Sequence, residues 1–535
     1  MSRLLIKNGN VYDGLGNAPF TADLLIEDDR ITEIGRGICT PADRVIDASG
    51  KAVTPGFIDI HRHCDIKPFN NEHYGDCMLA QGITSTVVGN CGISMTPCSP
   101  DEARAREMWD FDEAVLGPAF PEIRTYGGYL RALDSRPLPV NFAAMIGTGS
   151  VKITVKGFSD TPFTEEEMAR ARALIESAMA QGAPGISAGI MYLPECYSTA
   201  EEFGRLLKPV GVRGGVATFH IRGEGDSLVD SVREVIEIGK AAGCAVEISH
   251  FKSCGMKNWG REIHRAIALI EEARAAGQDV TVDFYPYEGG STALTTMLPP
   301  VFVAGDLNAA LQKLGTPEGV REFRQLAGVE YSDWDNYCIT LGWDRILISG
   351  VAREHNKKFV GLNVTEAAKK FGFEDPFALA AHLMHDEDGK TAIINMSMCQ
   401  EDIDAVARLP YSIVISDSIY AETDTPHPRM YGAFPKIIRE YVMERGLLTM
   451  EEAVRKMTSM PAARMRLEAR GVLREGNYAD LNIFDPGKFR DNATFQNPAV
   501  CASGLDCCIV NGKIAYMDGH CTGETAGKVL RIISG

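Results

Sequence analysis

Three observations predict an α/β protein built as a (β/α)8 TIM-like barrel with a small β-sandwich domain formed by both chain termini and an insertion covering the site. Helical and strand-like segments alternate through the middle of the chain. Each apolar run there ends in a polar residue. Short segments of alternating polarity occupy both ends. The expected boundaries are residues 1–54 plus 475–535 for the terminal β-domain, 55–474 for the barrel, and 288–343 for an insertion within it.

The elements justify this in order. "LLIKNGNVYDG" and "ADLLIEDDRITEIG" alternate apolar and polar residues around Asn-Gly and Asp-Asp turns. The strand candidates "ITSTVVGN" and "NFAAMIGT" come next. "TEEEMARARALIESAMAQG" then opens with a capping box, Thr164 with Glu167, and stops at Gly182. "GISAGIMY" and "GVATFH" follow as strands. A helix over about Ser227–Ala242 leads to "CAVEISH", and one over about Arg261–Ala276 leads to "DVTVDFYPY". From Glu288 to Trp343 the rhythm breaks, which marks the insertion, and "TAIINM" and "YSIVISD" supply further strands. "ADLNIFDP" and "DCCIVNGKIAYMDG" return to the vocabulary of the N-terminus.

Composition bounds the function. The chain has 535 residues, 45% hydrophobic and 24% charged, with a net charge of −18. That balance fits an ordinary globular protein and disfavours nucleic acid or an anionic membrane as partner. No run reaches the ~18–20 apolar residues of a membrane span, and the N-terminus carries no long apolar leader. The 14 cysteines show no tight spacing, as expected of reduced thiols in a cytoplasmic protein, with Cys64, Cys98, Cys196 and Cys254 read as buried and inert.

The polar residues at the strand ends carry the chemistry. "GFIDI" ends in His61-Arg62-His63, "STVVGN" in Cys91, "GVATF" in His220, "AVEIS" in His250 and "SIVIS" in Asp417. In a strand, residues i and i+2 share a face, so His61 and His63 converge. A barrel collects the C-terminal ends of its strands at one mouth. Singly, each residue is more often structural; together, four His, one Cys and one Asp suit a borderline-soft cation such as zinc. Six candidates exceed one tetrahedral site, leaving open a two-metal site or one metal beside a free base.

The chain also resembles the amidohydrolase superfamily, specifically the D-aminoacylase (N-acyl-D-amino-acid deacylase) group. The likeness is carried by "PGFIDIHRHCD", "GITSTVVGNCGIS", "HIRGEGD", "EISHFKSCGMKNWG", "DFYPYEGGST", "VISDS", "HPRMYGAFPK", "KMTSMPAARM" and "GVLREGNYADLNIFDP", in order along the chain. The resemblance implies a tightly held zinc on Cys91, His220 and His250. It implies a second, weaker metal position lined by His61, His63 and Asp417, with Cys91 able to bridge. Asp417 would be the general acid/base. Lys252, Arg429, Tyr192 and Tyr285 match positions that hold the substrate carboxylate and polarise the scissile carbonyl. The barrel is then a metal-dependent hydrolase, and the expected partner is a small N-acyl amino acid. This chain departs from the group's pattern at Gly147-Thr148, Lys152 and Cys64.

Two other readings stand beside this one. A cyclic amide hydrolase of the hydantoinase or dihydroorotase kind would bridge its metals with a carbamylated lysine, for which Lys152 and Lys156 are the candidates. A non-catalytic scaffold on the same fold would be expected to have lost ligands that this chain retains.

Overall fold

The computed structural model describes residues 2–303, 306–331, 334–420 and 425–532. Its first barrel strand, Phe57–Asp59, runs parallel to Ile83–Val88, which runs parallel to Asn141–Ala144. Past Met145 the third strand continues as Ile146–Gly147 and pairs with Gly185–Gly189. Val216–His220, Ala245–Ile248, Val280–Phe284 and Ser412–Val414 complete the series, each parallel to its predecessor. Arg62–His63 pairs with Ser418–Ile419, and Asp417 N–H donates to His61 O at 2.9 Å, closing the barrel.

The sequence explains why these strands form. A parallel strand covered by helices is buried on both faces, and Ile83–Val88 and Val216–His220 are buried throughout. The covering helices carry the expected punctuation. Both halves of the Thr164–Glu167 capping box form at the head of Glu165–Ala180, and Gly243, at φ 74°, ends Leu228–Ala242 in the left-handed conformation that glycine adopts without penalty.

The wall between strands three and four parts at its lower end, and the C-terminal tail fills the gap. Phe142 N–H donates to Lys528 O at 2.9 Å, Leu530 N–H to Phe142 O at 2.8 Å, and Ile532 N–H to Gly182 O at 2.9 Å.

Segments from both termini form one nine-stranded sheet, in which Ala52–Pro55 lies between Arg3–Val11 and Leu481–Phe484. Side chains alternate between its faces: Leu4 and Ile6 face a core with Ile26, Val53, Ile483 and Ile509, and Leu5 faces the opposite side with Leu25 and Ile38. No described helix is long and apolar enough to cross a membrane.

The insertion differs from expectation. "TAIINM" is not a barrel strand: Ala392–Asn395 is the middle of an antiparallel sheet between Gly290–Ala293 and Ile346–Gly350. With helices such as Pro317–Ala327 and Pro376–Asp386 it encloses its own core, including Leu294, Phe323, Trp343 and Ile393. This unit therefore runs past the Trp343 boundary to Asn395. A short β-type run looks the same in sequence whichever sheet receives it.

Candidate metal centre

All six candidate ligands follow or end a barrel strand on its C-terminal side, and the closed barrel brings them together. His61 and His63 follow strand one, Cys91 strand two, His250 strand six and Asp417 strand eight, while His220 ends strand five. Cys91, His250 and Asp417 have φ values of 56°, 37° and 49°, a left-handed backbone unusual for side chains of this size.

Donor atoms of His61, His63 and Cys91 lie within 4.8 Å of one another, as do those of Cys91, His220 and His250. Cys91 belongs to both groups. Its Sγ is 3.2 Å from His61 Nε2 and 3.6 Å from His250 Nε2. Asp417 Oδ1 lies 3.4 Å from His61 Nε2 and 3.6 Å from His63 Nε2, and Oδ2 lies 2.8 Å from Arg429 Nη1.

Electrostatics favour a cation in this cluster. Burial drives His61 down to about 3 and His220 and His250 below the ordinary imidazole range, so these rings stay neutral and keep lone pairs to offer. Burial also pushes the Cys91 thiol well up, and nearby Asp417 and Asp283 add to it. Burial alone would raise Asp417, but the Arg429 guanidinium beside it outweighs that and holds the carboxyl well below its usual range. A buried thiol surrounded by neutral imidazoles beside a carboxylate is a donor set that a divalent metal satisfies, and zinc suits this mixture of sulfur and nitrogen.

Two acidic residues that the sequence reading did not single out support the centre. Glu224 Oε1 lies 2.8 Å from His250 Nδ1 and also meets Lys252 Nζ. Asp283 accepts the backbone N–H of His250, and its Oδ2 lies 3.6 Å from His61 Nδ1. Glu224 stands in the "HIRGEGD" string, four residues past His220. Asp283 alternates into the barrel from "DVTVDFYPY". Strand periodicity could have found Asp283, whereas Glu224 sits on a loop that has no periodicity.

The centre opens into a cavity of about 1180 Å³. Tyr192, Lys252, Tyr285 and Arg429, the four expected substrate residues, are among those that line it. The Tyr192 hydroxyl is 3.4 Å from His220 Nδ1. The Tyr285 ring lies beneath the Arg429 guanidinium, 4.4 Å from its centroid. Arg429 is 1% exposed, and among the described residues none of its guanidinium nitrogens finds a hydrogen-bond partner; the 2.8 Å approach to Asp417 is an ion pair without hydrogen-bond alignment. Ser291 and Thr295 of the insertion and Asp110 of helix Glu102–Leu116 also line the cavity. Lys390 Nζ and Glu113 Oε2, 2.8 Å apart, link the insertion to that helix.

The residues that depart from the group's pattern do not line this cavity. Thr148 Oγ1 donates to Glu195, Lys152 Nζ donates to Ser198 Oγ at 2.7 Å, and Cys64 is buried in the barrel core. Lys156 is held by Thr161 and Pro162 carbonyls, so neither lysine considered as a metal bridge faces the centre.

The amidohydrolase family profile matches residues 44–191 and 359–516. A D-aminoacylase of Alcaligenes xylosoxydans xylosoxydans is 33% identical over 527 residues, 98% of this chain and 97% of that one. An N-acyl-D-glutamate deacylase from Bordetella bronchiseptica, solved with zinc and a phosphonate mimic of the tetrahedral intermediate, superposes with a TM-score of 0.82. It is 30% identical, over 99% of both chains. A D-aminoacylase described as having a binuclear metal centre superposes with a TM-score of 0.81 at 31% identity, over 99% of both chains.

Proposed function

Because the chain belongs to the amidohydrolase family, in the group of N-acyl-D-amino-acid deacylases, we propose that it hydrolyses N-acyl-D-amino acids to a carboxylate and a free D-amino acid. The observation that carries this reading is the pair of donor triads sharing Cys91, with Asp417 beside both and, in the same cavity, an arginine fork whose nitrogens have no hydrogen-bond partner among the described residues. Cys91, His220 and His250 would hold a tightly bound zinc, and His61, His63 and Asp417 would line a weaker position. When bound, the metal supplies an acidified water and a Lewis acid for the scissile carbonyl.

The chain's own residues do the rest. Asp417, kept ionised by Arg429, accepts a proton from the attacking water and delivers it to the departing nitrogen. The guanidinium of Arg429 presents open N–H groups to the substrate's α-carboxylate, a bidentate match for a planar anion. Lys252 adds positive charge on the same side of Tyr285. The Tyr192 hydroxyl donates to the carbonyl oxygen as it gains negative charge, a contribution of about 3 kcal/mol for a well-placed donor. A cytoplasmic setting fits the fourteen cysteines, all of them unpaired.

The test is amine release from a panel of N-acetyl-D- and N-acetyl-L-amino acids, with zinc-loaded protein and a metal-stripped control. Metal-dependent release confined to the D-series is the expected result. Zinc-bound protein that releases nothing from any member would overturn the reading.

A further inference from the structure

His250 Nδ1 sits between two groups that make opposite demands on it. Glu224 Oε1 is 2.8 Å away and can only accept, whereas Lys252 Nζ is 2.7 Å away and as an ammonium can only donate. A neutral imidazole carries one proton. If Lys252 donates to Nδ1, that proton is on Nε2, the nitrogen facing Cys91 Sγ at 3.6 Å, and no lone pair remains there for a metal. If Nδ1–H donates to Glu224, Nε2 is free to bind. Glu224 also receives Lys252 directly, which draws the ammonium away from the ring. The carboxylate thus selects the metal-binding tautomer.

Glu224 is itself held from outside the barrel. Asp335, a buried residue of the insertion, accepts the backbone N–H groups of Glu224 at 2.6 Å and Gly225 at 2.8 Å through Oδ2. Its Oδ1 lies 3.4 Å from Ser227 Oγ. The loop wraps closely round this carboxylate: a Cβ added at Gly225 would stand 3.1 Å from Asp335 Cγ. Cys254 N–H donates to Glu224 O at 2.7 Å, fixing the loop's other side.

We infer that Glu224 is a positioning residue that sets the metal-binding tautomer of His250, and that Asp335 of the insertion positions Glu224. This rests on the zinc reading above. The insertion then does more than roof the cavity, because one of its carboxylates reaches the metal centre through two backbone amides and one side chain.

The experiment measures zinc affinity of the full-length protein by chelator competition, with no substrate present. Glu224→Gln keeps the shape and one acceptor oxygen but removes the charge and puts an NH2 where the second oxygen was, able to donate to Nδ1, and zinc affinity should fall about 10- to 100-fold. Asp335→Ala touches no side chain of the centre and should shift affinity in the same direction by at least about 3-fold. Asp335→Asn, which retains one acceptor oxygen, should fall between wild type and Asp335→Ala. In a Glu224→Gln background, Asp335→Ala should have no further effect, since interacting sites are not additive. Phe323→Leu, deep in the insertion core, controls for loosening: it should lower thermal stability and leave zinc affinity unchanged.

An Asp335→Ala effect no larger than that of Phe323→Leu would overturn the inference. So would effects of Asp335 and Glu224 that multiply, or a wild-type chain that binds no zinc. Zinc behaviour as expected with silence on the amide panel would leave the inference standing and remove only the deacylase reading.

Discussion

Cys91, His250 and Asp417 each carry a positive φ at the end of a barrel strand, and each closes on the same small volume. A non-glycine residue held there costs on the order of 1 kcal/mol, a strain that is retained where it aims a side chain. This makes Asn the informative replacement for Asp417, because Asn tolerates the left-handed region and preserves the volume. Asp417→Asn should retain its zinc, measured by metal analysis, while turnover falls by about 10²–10⁴-fold; full turnover would remove Asp417 as the base. Glu195 tests a different residue. It is buried, accepts from Thr148 and from Gly189 N–H, and burial raises its carboxyl to about 7. The folded state therefore binds this proton more tightly than the unfolded chain, so the group's contribution is full below the unfolded value and declines as pH rises from about 4.5 to 7. The total is at most about 3 kcal/mol. Glu195→Gln should flatten that part of the stability–pH curve measured by urea melts, and an unchanged slope would show that Glu195 does not titrate there. The candidate ligands that the barrel brings together were legible in the sequence because strand ends expose them in a repeating pattern. Asp335 was not, because only the folded insertion brings it to residues more than a hundred positions earlier.

The barrel strands and their capped helices were legible because hydrophobic runs and capping residues are local signals. The partners of a strand are not local, and two cases show the difference. "TAIINM" has the composition of a barrel strand, yet it lies antiparallel between two insertion strands. The last residues of the chain carry no strand-like alternation, yet Gly527, Leu530 and Ile532 donate to Leu138, Phe142 and Gly182 carbonyls, and Lys528 O accepts from Phe142 N–H. Those bonds fill the gap where strand three leaves strand four. Deleting residues 526–535 should expose Phe142 N–H and its neighbours, and four backbone hydrogen bonds at about 1 kcal/mol each place the loss at about 2–4 kcal/mol. The urea midpoint should fall accordingly while the zinc content stays at the wild-type value. An unchanged midpoint would mean that the tail decorates the barrel and does not complete it.

On the scale of the whole molecule, the insertion has a hydrophobic core separate from that of the barrel, and the cavity lies between the two. The break in rhythm after Tyr287 revealed where the insertion begins. Its end was hidden because helices Val364–Phe371 and Pro376–Asp386 followed by Ala392–Asn395 imitate one more βα repeat. Across the cavity the insertion meets the Glu102–Leu116 helix through Lys390 and Glu113, whose side chains are 43% and 42% exposed. A pair that open to water is screened and contributes about 0–1 kcal/mol. Lys390→Ala should therefore change KM by no more than about fivefold and leave kcat within about twofold, and a larger change would show that the pair holds the cavity in its working shape. A unit with its own core, tied so weakly on that side, should open locally at lower free energy than the barrel strands. Amide exchange gives the test: without ligand, Ala392–Asn395 should exchange faster than Val216–His220. A phosphonate analogue of the tetrahedral intermediate should slow exchange mainly in the insertion, since Ser291 and Thr295 line the cavity it would fill. Equal protection in both regions before and after ligand would mean that insertion and barrel behave as one rigid body. The coupling through Asp335 would then be a fixed brace and would not report ligand binding to the metal centre.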